Sequence, residues 1–310
     1  MVRRGAAAAI AVGVLVTVTG CLTPLTSQQP LAPVPVPARA LVGVYEPGAP
    51  GSWSGISGFT DATGVKPGIV VYYSAWNDPF STSFAQTALS HDAYVLVQLE
   101  PKDVALTSIA AGGSDAYLRS YAAAVVAFGH PVMLSFGHEM NGTWYSWGDG
   151  HQSPAAFVAA WRHIVEVFRA AGAANVTWLW TANSIAGGSS SLSQWWPGAA
   201  WVSWVGVSGY YYQATDTFDM VFGSTIALIR TFSNAPVLIA ETAVGTTSAR
   251  ESQIDALFAG VCAEHLAGVV WFDEAQRAGL YHQDWRLEHD PSALSAFTAA
   301  VARYLGAPHA

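Results

Sequence analysis

Eight short apolar runs, most of them followed by a stretch with helical spacing, constrain this chain more than any other feature of its sequence. They cover Leu41–Tyr45, Ile69–Tyr73, Tyr94–Leu99, Val132–Phe136, Val176–Trp180, Trp204–Ser208, Val237–Ala240 and Val269–Phe272. Each is nearly continuous in apolar residues, the pattern of strands buried on both faces. Strands alternating with helices pair in parallel, because each crossover returns the chain to the same end of the sheet. Eight such units close into a (β/α)8 TIM barrel, and the stretch 41–310 is close to the ~250 residues typical of that fold. One α/β barrel domain over 41–310 is the predicted architecture, with no internal repeat and no second domain.

The clearest helix is predicted over 154–171. Ser153 caps it, Pro154 suits its first turn, Phe157, Trp161, Ile164, Val165 and Phe168 form one stripe, and Gly172 stops it. Residues 115–128, 218–232, 250–265 and 292–305 have similar stripes with softer ends. Cys262 falls inside one of them and is expected to be a buried small hydrophobe. Gly187 to Ser191 (GGSSS) is expected to be a flexible loop after the fifth strand.

The N-terminus speaks to location. Arg3 and Arg4 precede an apolar stretch over 6–18 (AAAAIAVGVLVTV), followed by Val18-Thr19-Gly20-Cys21. That stretch is shorter than the ~20 residues of a membrane span and has the layout of a secretory signal over 1–20. The VTGC tetrapeptide resembles a bacterial lipobox, which implies cleavage before Cys21 and a lipid on its thiol. The expected location is then the outer face of the bacterial membrane, reached through a lipid anchor only. Plain secretion with an unmodified Cys21 is the alternative. Residues 21–40 carry five prolines and no acidic group, as in a semi-rigid extended tether.

Without Arg3 and Arg4 the chain keeps 11 basic against 21 acidic residues, a net charge of −10. Nucleic acid and anionic lipid are poor partners for such a surface. Charged residues make up only 11% of the chain while Trp alone numbers 13, a balance suited to stacking on flat, neutral, hydroxylated sugars.

In a β/α barrel the active site forms where the strands end, so polar residues just past each apolar run are the candidates. They are Glu46, Trp76-Asn77-Asp78, Glu100, His138-Glu139, Asn183, Tyr210, Glu241 and Asp273. Carboxylates recur at these ends although the chain is poor in charge. The densest segment, PVMLSFGHEMNGTWYSWG from Pro131 to Gly148, carries His138 and Glu139 off a strand, turns at Asn141-Gly142, and continues into Trp144, Tyr145 and Trp147. Glutamate beside aromatic rings is biased towards its neutral form, as a general acid needs. Pro236 to Gly245 (PVLIAETAVG) ends a second buried strand in Glu241. Two carboxylates across one mouth suit a reaction in which one attacks carbon while the other protonates the leaving oxygen. His138 does not begin a zinc HExxH motif, since Gly142 stands at the second histidine position, and no GxSxG, GxGxxG or P-loop pattern occurs. Neither a metal nor a cofactor is expected.

HEMNGTWYSWG and IAET, with WVGVSGY between them, resemble glycoside hydrolase family 26, mainly endo-β-1,4-mannanases with some mixed-linkage β-glucanases and xylanases. The resemblance runs from about residue 41 to 290. It implies Glu139 as acid/base, Glu241 as nucleophile and His138 as the histidine before the acid. Trp144, Tyr210 and Trp271 then match aromatic positions lining the subsite where the bond breaks, with Tyr210 bonded to the nucleophile. Glu100 and Trp147 complete the expected sugar-binding set. Many mannanases of the family carry Arg-Pro before His-Glu where this chain has Ser135-Phe136-Gly137, and some carry a sugar-binding arginine where it has Phe272. The expected function is a monomeric, retaining, endo-acting hydrolase of polysaccharide, with mannan ahead of β-1,3-1,4-glucan or xylan. A non-catalytic carbohydrate-binding lipoprotein is the reading from another class.

Overall fold

A computed structural model describes Met1 and residues 32–185, 192–275 and 283–306. The chain divides into Met1–Pro30 and Leu31–Ala310, and of the first unit only Met1 is described. Apart from Met1, the signal over 1–20 lies outside the described residues, as do Cys21 and the loop 187–191.

Eight parallel strands close into a barrel in sequence order: β1 Leu41–Tyr45, β2 Ile69–Ala75, β3 Tyr94–Glu100, β4 Val132–Phe136, β5 Val176–Asn183, β6 Trp204–Ser208, β7 Val237–Thr242 and β8 Gly268–Phe272. Around them run α1 Ser54–Thr63, α2 Thr82–Ser90, α3 Leu106–Ala110, α4 Asp115–Phe128, α5 Pro154–Ala170, α6 Ser224–Ile229, α7 Arg250–Ala263 and α8 Pro291–Ala300. In α5 the Ser153 hydroxyl accepts from Ala156 N at 3.2 Å, so the cap read from the sequence is in place. The stretch expected to be helical over 218–232 begins with a π-helical turn at Asp219–Gly223, and the last helix ends in another at Val301–Leu305. Helices α1, α2 and α3 carry only two or three buried residues each, too few to write a stripe.

Alternation along each strand splits the core in two. Ile69, Val71, Leu96, Met133, Leu179, Trp204, Leu238, Ala240 and Val270 fill the barrel, while Val70, Tyr72, Val95, Val97, Leu134 and Phe136 pack outward against the helices. Val34, inside the stretch expected to be a free tether, joins the interior group at 4% exposure, and its N–H donates to Thr177 Oγ1 at 2.7 Å. The barrel domain therefore starts earlier than residue 41. Cys262 corrects another expectation. The buried stripe of α7 runs through Ile254, Leu257, Phe258 and Val261, and one further residue turns the thiol about 100° away, so it is exposed.

Candidate active site

Beyond β4 the backbone takes left-handed conformations at Gly137 (φ 55°) and at Glu139 (φ 54°). For a glutamate that conformation costs about 1–3 kcal/mol and persists only where its surroundings enforce it. Glu139 N donates to Thr181 O at 2.8 Å and Gly137 N to Leu99 O at 2.9 Å, pinning the turn to both neighbouring strands. Asn141 adds two bonds to β5, giving from Nδ2 to Asn183 O and accepting at Oδ1 from Asn183 N, each at 2.8 Å. Gly142 is needed because the Trp144 ring lies across it, where any Cβ would collide. Trp144, 56% exposed, reaches back so that its Nε1 donates to Glu139 Oε2 at 2.8 Å.

On β7 the interior positions are Leu238 and Ala240, so regular alternation would send Glu241 outward. The pairing shifts register with both neighbours there: Ser208 of β6 faces Glu241, and Trp271 of β8 faces Thr242. Such a bulge re-aims a side chain, and Glu241 faces the mouth. Both its oxygens are held: Tyr210 donates to Oε1 and Tyr73, at the end of β2, donates to Oε2. The segment after β8 backs this arrangement. Trp285 packs on Tyr210 with ring centres 4.9 Å apart, and the buried Arg250 at the start of α7 donates to Trp285 O at 3.2 Å and to Asp290 at 3.0 Å.

Both carboxyls are buried and both are raised, and they differ in the donors that face them. Burial, and then the charge of Glu241, push the Glu139 carboxyl up to about 8, against the pull of Asn183 and Trp144. Burial raises Glu241 as well, but the hydroxyls of Tyr210 and Tyr73 favour its charged form. Two interacting carboxyls in one dry mouth hold a single proton between them. We place it on Glu139, since the donors on Glu241 pair with both of its oxygens. Burial, and secondarily Lys102, drive His138 down to about 3, so its ring is neutral. Among the described residues no three His, Cys, Asp or Glu side chains are grouped to hold a metal ion.

The family model for glycosyl hydrolase family 26 matches residues 66–291. The chain belongs to glycosyl hydrolase family 26. Endoglucanase H of Acetivibrio thermocellus is 30% identical over 268 residues, 81% of this chain but 29% of that protein, so the chain spans under a third of its relative. Among solved structures, an endo-β-1,4-mannanase of Cellulomonas fimi superposes with a TM-score of 0.69 at 17% identity, over 85% of this chain and 70% of that one. The catalytic domain of a Bacillus sp. JAMB-750 endo-β-1,4-mannanase does so at 0.67 and 14%, over 87% and 91%. At these identities the likeness establishes the fold alone.

Within this family 26 barrel Glu139, Glu241, His138, Trp144 and Tyr210 come together as expected. Glu100 ends β3 on the interior side, buried and 2.9 Å from Lys102 Nζ, and its charge raises Glu241. Two expectations fail. Trp271 follows the interior Val270 and so points outward; it is buried against Phe297 of α8, and its Nε1 donates to Asp273 Oδ1 and Trp285 O, both at 3.1 Å. Phe272 takes the mouth instead, stacked on Tyr45 at 4.7 Å and edge-on to Tyr210 at 5.9 Å. Trp147 is 1% exposed beneath the loop; it donates to His138 O at 2.8 Å and stacks on Tyr145 at 4.3 Å, while the Tyr145 hydroxyl meets His138 Nε2 at 3.0 Å. It positions His138 and has no face left for sugar.

The remaining strand-end residues are braces. Asp78 accepts from Ala75 N at 3.2 Å, and Trp76 is buried against Tyr117 and Phe136. Asp273 accepts from Leu287 N at 3.0 Å and pairs with Glu46, whose carboxyl is pushed up to about 9 by burial and then by the Asp273 charge. Trp195 is buried, and the half-buried Trp196 packs edge-on to Trp180 and against Phe232. Tyr73 escaped the sequence reading because it lies within an apolar run, although its place at a strand end was a usable signal.

Proposed function

We propose that this chain is a retaining, endo-acting hydrolase of neutral β-linked polysaccharide. The observation that carries the reading is the pairing of a neutral Glu139 with a Glu241 whose two oxygens are each held by a tyrosine. In the first step a Glu241 oxygen bonds to the anomeric carbon as the glycosidic C–O bond breaks, and Glu139 gives its proton to the departing oxygen. Glu139, now a carboxylate, takes a proton from water, and that water displaces Glu241. The two tyrosines keep Glu241 ionised and fix its orientation, and Trp144 orients the acid.

We place β-1,4-containing glucan, including the mixed-linkage β-1,3-1,4 form, ahead of mannan. The relative at 30% identity is named an endoglucanase, and Phe272 stands where an arginine would favour the mannanase reading. Mannan is the second reading, supported by the mannanases that share the fold. Incubating a chain that starts at residue 31 with barley glucan, galactomannan and xylan, and sizing the products, separates the substrates and tests endo action.

Chemical rescue tests the roles. Glu139→Ala should form the covalent intermediate from an aryl glycoside with a good leaving group and then stall; azide should restore turnover as a β-glycosyl azide. An α-azide from that variant, or β-azide from Glu241→Ala, would reverse the assignment. We also propose that Cys21 carries a lipid at the outer membrane face, on the strength of the leader pattern. Cys21→Ser should move the protein from the membrane fraction to the soluble one, and unchanged fractionation would remove the anchor.

A further inference from the structure

We propose that Glu46 and Asp273 are positioning residues, a proton-sharing carboxyl pair that holds the segment 284–290 against Tyr210 and so fixes the orientation of Glu241. The effect on turnover rests on Glu241 being the nucleophile, while the pair and its hold on the segment do not.

The two residues are the first beyond β1 and β8, which pair in parallel up to Tyr45 and Phe272. Asp273 is 2% exposed, and its Oδ1 accepts from Trp271 Nε1 at 3.1 Å and from Leu287 N at 3.0 Å. Glu46 is tucked under the first turn of α1, where a Cβ on Gly55 would come within 2.8 Å of its Oε2. Its carboxyl hydrogen-bonds that of Asp273. One acid donating to another is how two carboxyls in a dry site hold a single proton. The N–H groups on Asp273 make it the acceptor, so the proton is on Glu46, whose carboxyl burial and then Asp273 push up to about 9.

The pair ties down more than itself. Through Leu287 it anchors a segment that also gives Trp285 N to Glu274 O at 3.1 Å and accepts from Arg250 at the carbonyls of Trp285 and Arg286, each at 3.2 Å. Trp285 then lies on Tyr210, and the Tyr210 hydroxyl holds Glu241. Contacts thus run unbroken from Glu46 to the nucleophile.

A second charge on the pair would find no partner among the described residues. Glu274 and Glu288 face it with charge of the same sign, and the Tyr45 hydroxyl is bonded to Glu274. The cations are committed: Arg286 lies 2.7 Å from Asp284, Arg250 lies 3.0 Å from Asp290, and His289 lies 3.4 Å from Glu288. When Glu46 loses its proton, two carboxylates face each other under α1, and lifting the segment relieves them. Since the folded value stands above the ordinary 4.5, closure of the segment is whole below pH ~4.5 and weakens about tenfold per pH unit until pH approaches 9.

Hydrogen exchange read by mass spectrometry tests this on the full-length protein carrying Glu139→Gln, which silences the titration of that carboxyl. Between pH 7 and 8.5, after correction for chemical exchange, protection of peptides covering 284–290 should fall about tenfold per pH unit. Adding Glu46→Gln, which keeps a donor to Asp273 and cannot ionise, should make that protection independent of pH. Asp273→Asn, which keeps an oxygen for Leu287 N and gives Glu46 a donor, should do the same. Kinetics read the hold on Glu241: kcat/KM of Glu139→Ala on 2,4-dinitrophenyl β-cellobioside needs no acid, and it should fall about tenfold from pH 8 to 10 with Glu46 present and stay level with Gln. A pH slope in exchange that survives Glu46→Gln overturns the pair. A slope abolished in exchange but unchanged in turnover overturns its hold on the nucleophile. A wild-type protein that cleaves no β-glycan would sink the hydrolase reading, and exchange would still decide the pair.

Discussion

The indole nitrogen of Trp144 donates a 2.8 Å hydrogen bond to Oε2 of Glu139. Indole N–H can only donate, so Oε2 is held as an acceptor and the proton of a neutral Glu139 carboxyl rides on Oε1. The same bond favours the charged carboxylate and draws its pKa down. Trp144→Phe keeps a ring but removes the donor. It should move the alkaline limb of kcat/KM to higher pH and lower kcat about tenfold, the scale of one hydrogen bond to a charged group. A variant that raises KM alone, with the limb unmoved, would make Trp144 only a stacking surface.

Tyr73 and Tyr210 hold different oxygens of Glu241. Removing either hydroxyl makes the carboxylate harder to ionise, so Tyr73→Phe and Tyr210→Phe should each shift the acid limb of kcat/KM towards neutral pH. Each should also cost roughly 10- to 100-fold in rate. Tyr73 is ruled out as a partner of the nucleophile if its variant keeps the wild-type acid limb.

The acid role proposed for Glu139 opposes stability. Burial, and then Glu241, raise this carboxyl from 4.5 to about 8. Across that window the folded chain keeps a proton that the unfolded chain releases, so the stabilising share of this group is whole below pH ~4.5 and is lost as pH rises. Glu139→Gln removes the penalty while abolishing acid catalysis. Its melting temperature should exceed that of the wild type by several degrees at pH 8, and the gap should close near pH 4. A gap that does not depend on pH would contradict the raised value.

Val34 closes the lower end of the barrel and its N–H is bonded to Thr177. A chain cut at residue 41 loses both contacts, and burial of one valine is worth about 1.5–3 kcal/mol. It should melt several degrees below one that starts at residue 31, with kcat unchanged because the catalytic mouth is at the opposite end of the strands. Equal melting temperatures would show that the arm contributes nothing.

The fold was legible because burial on both faces leaves a local trace. A strand inside a barrel must be apolar along its whole length, so three strands, β1, β4 and β6, keep the boundaries read from the sequence. That Glu139 and Glu241 sit at the mouth was legible for a related reason: polar residues that follow an apolar run cluster where the strands end, and HEMNGTW carries its own turn. Helices α1 and α2 were not legible, since a helix lying on a barrel with small residues needs only two or three apolar anchors.

What the sequence by itself determined is therefore the order of strands, the long helices, the family and the two carboxylates. Tertiary structure decided which way the side chains face. A bulge in β7 turns Glu241 into the mouth, strict alternation in β8 sends Trp271 outward and puts Phe272 in its place, and closure of the ring brings Tyr73 of β2 against β7. Each depends on register between strands far apart in the chain. Register is set by pairing across the whole sheet, where a shift of one residue exchanges the two faces of a strand, so a local run of residues cannot record it.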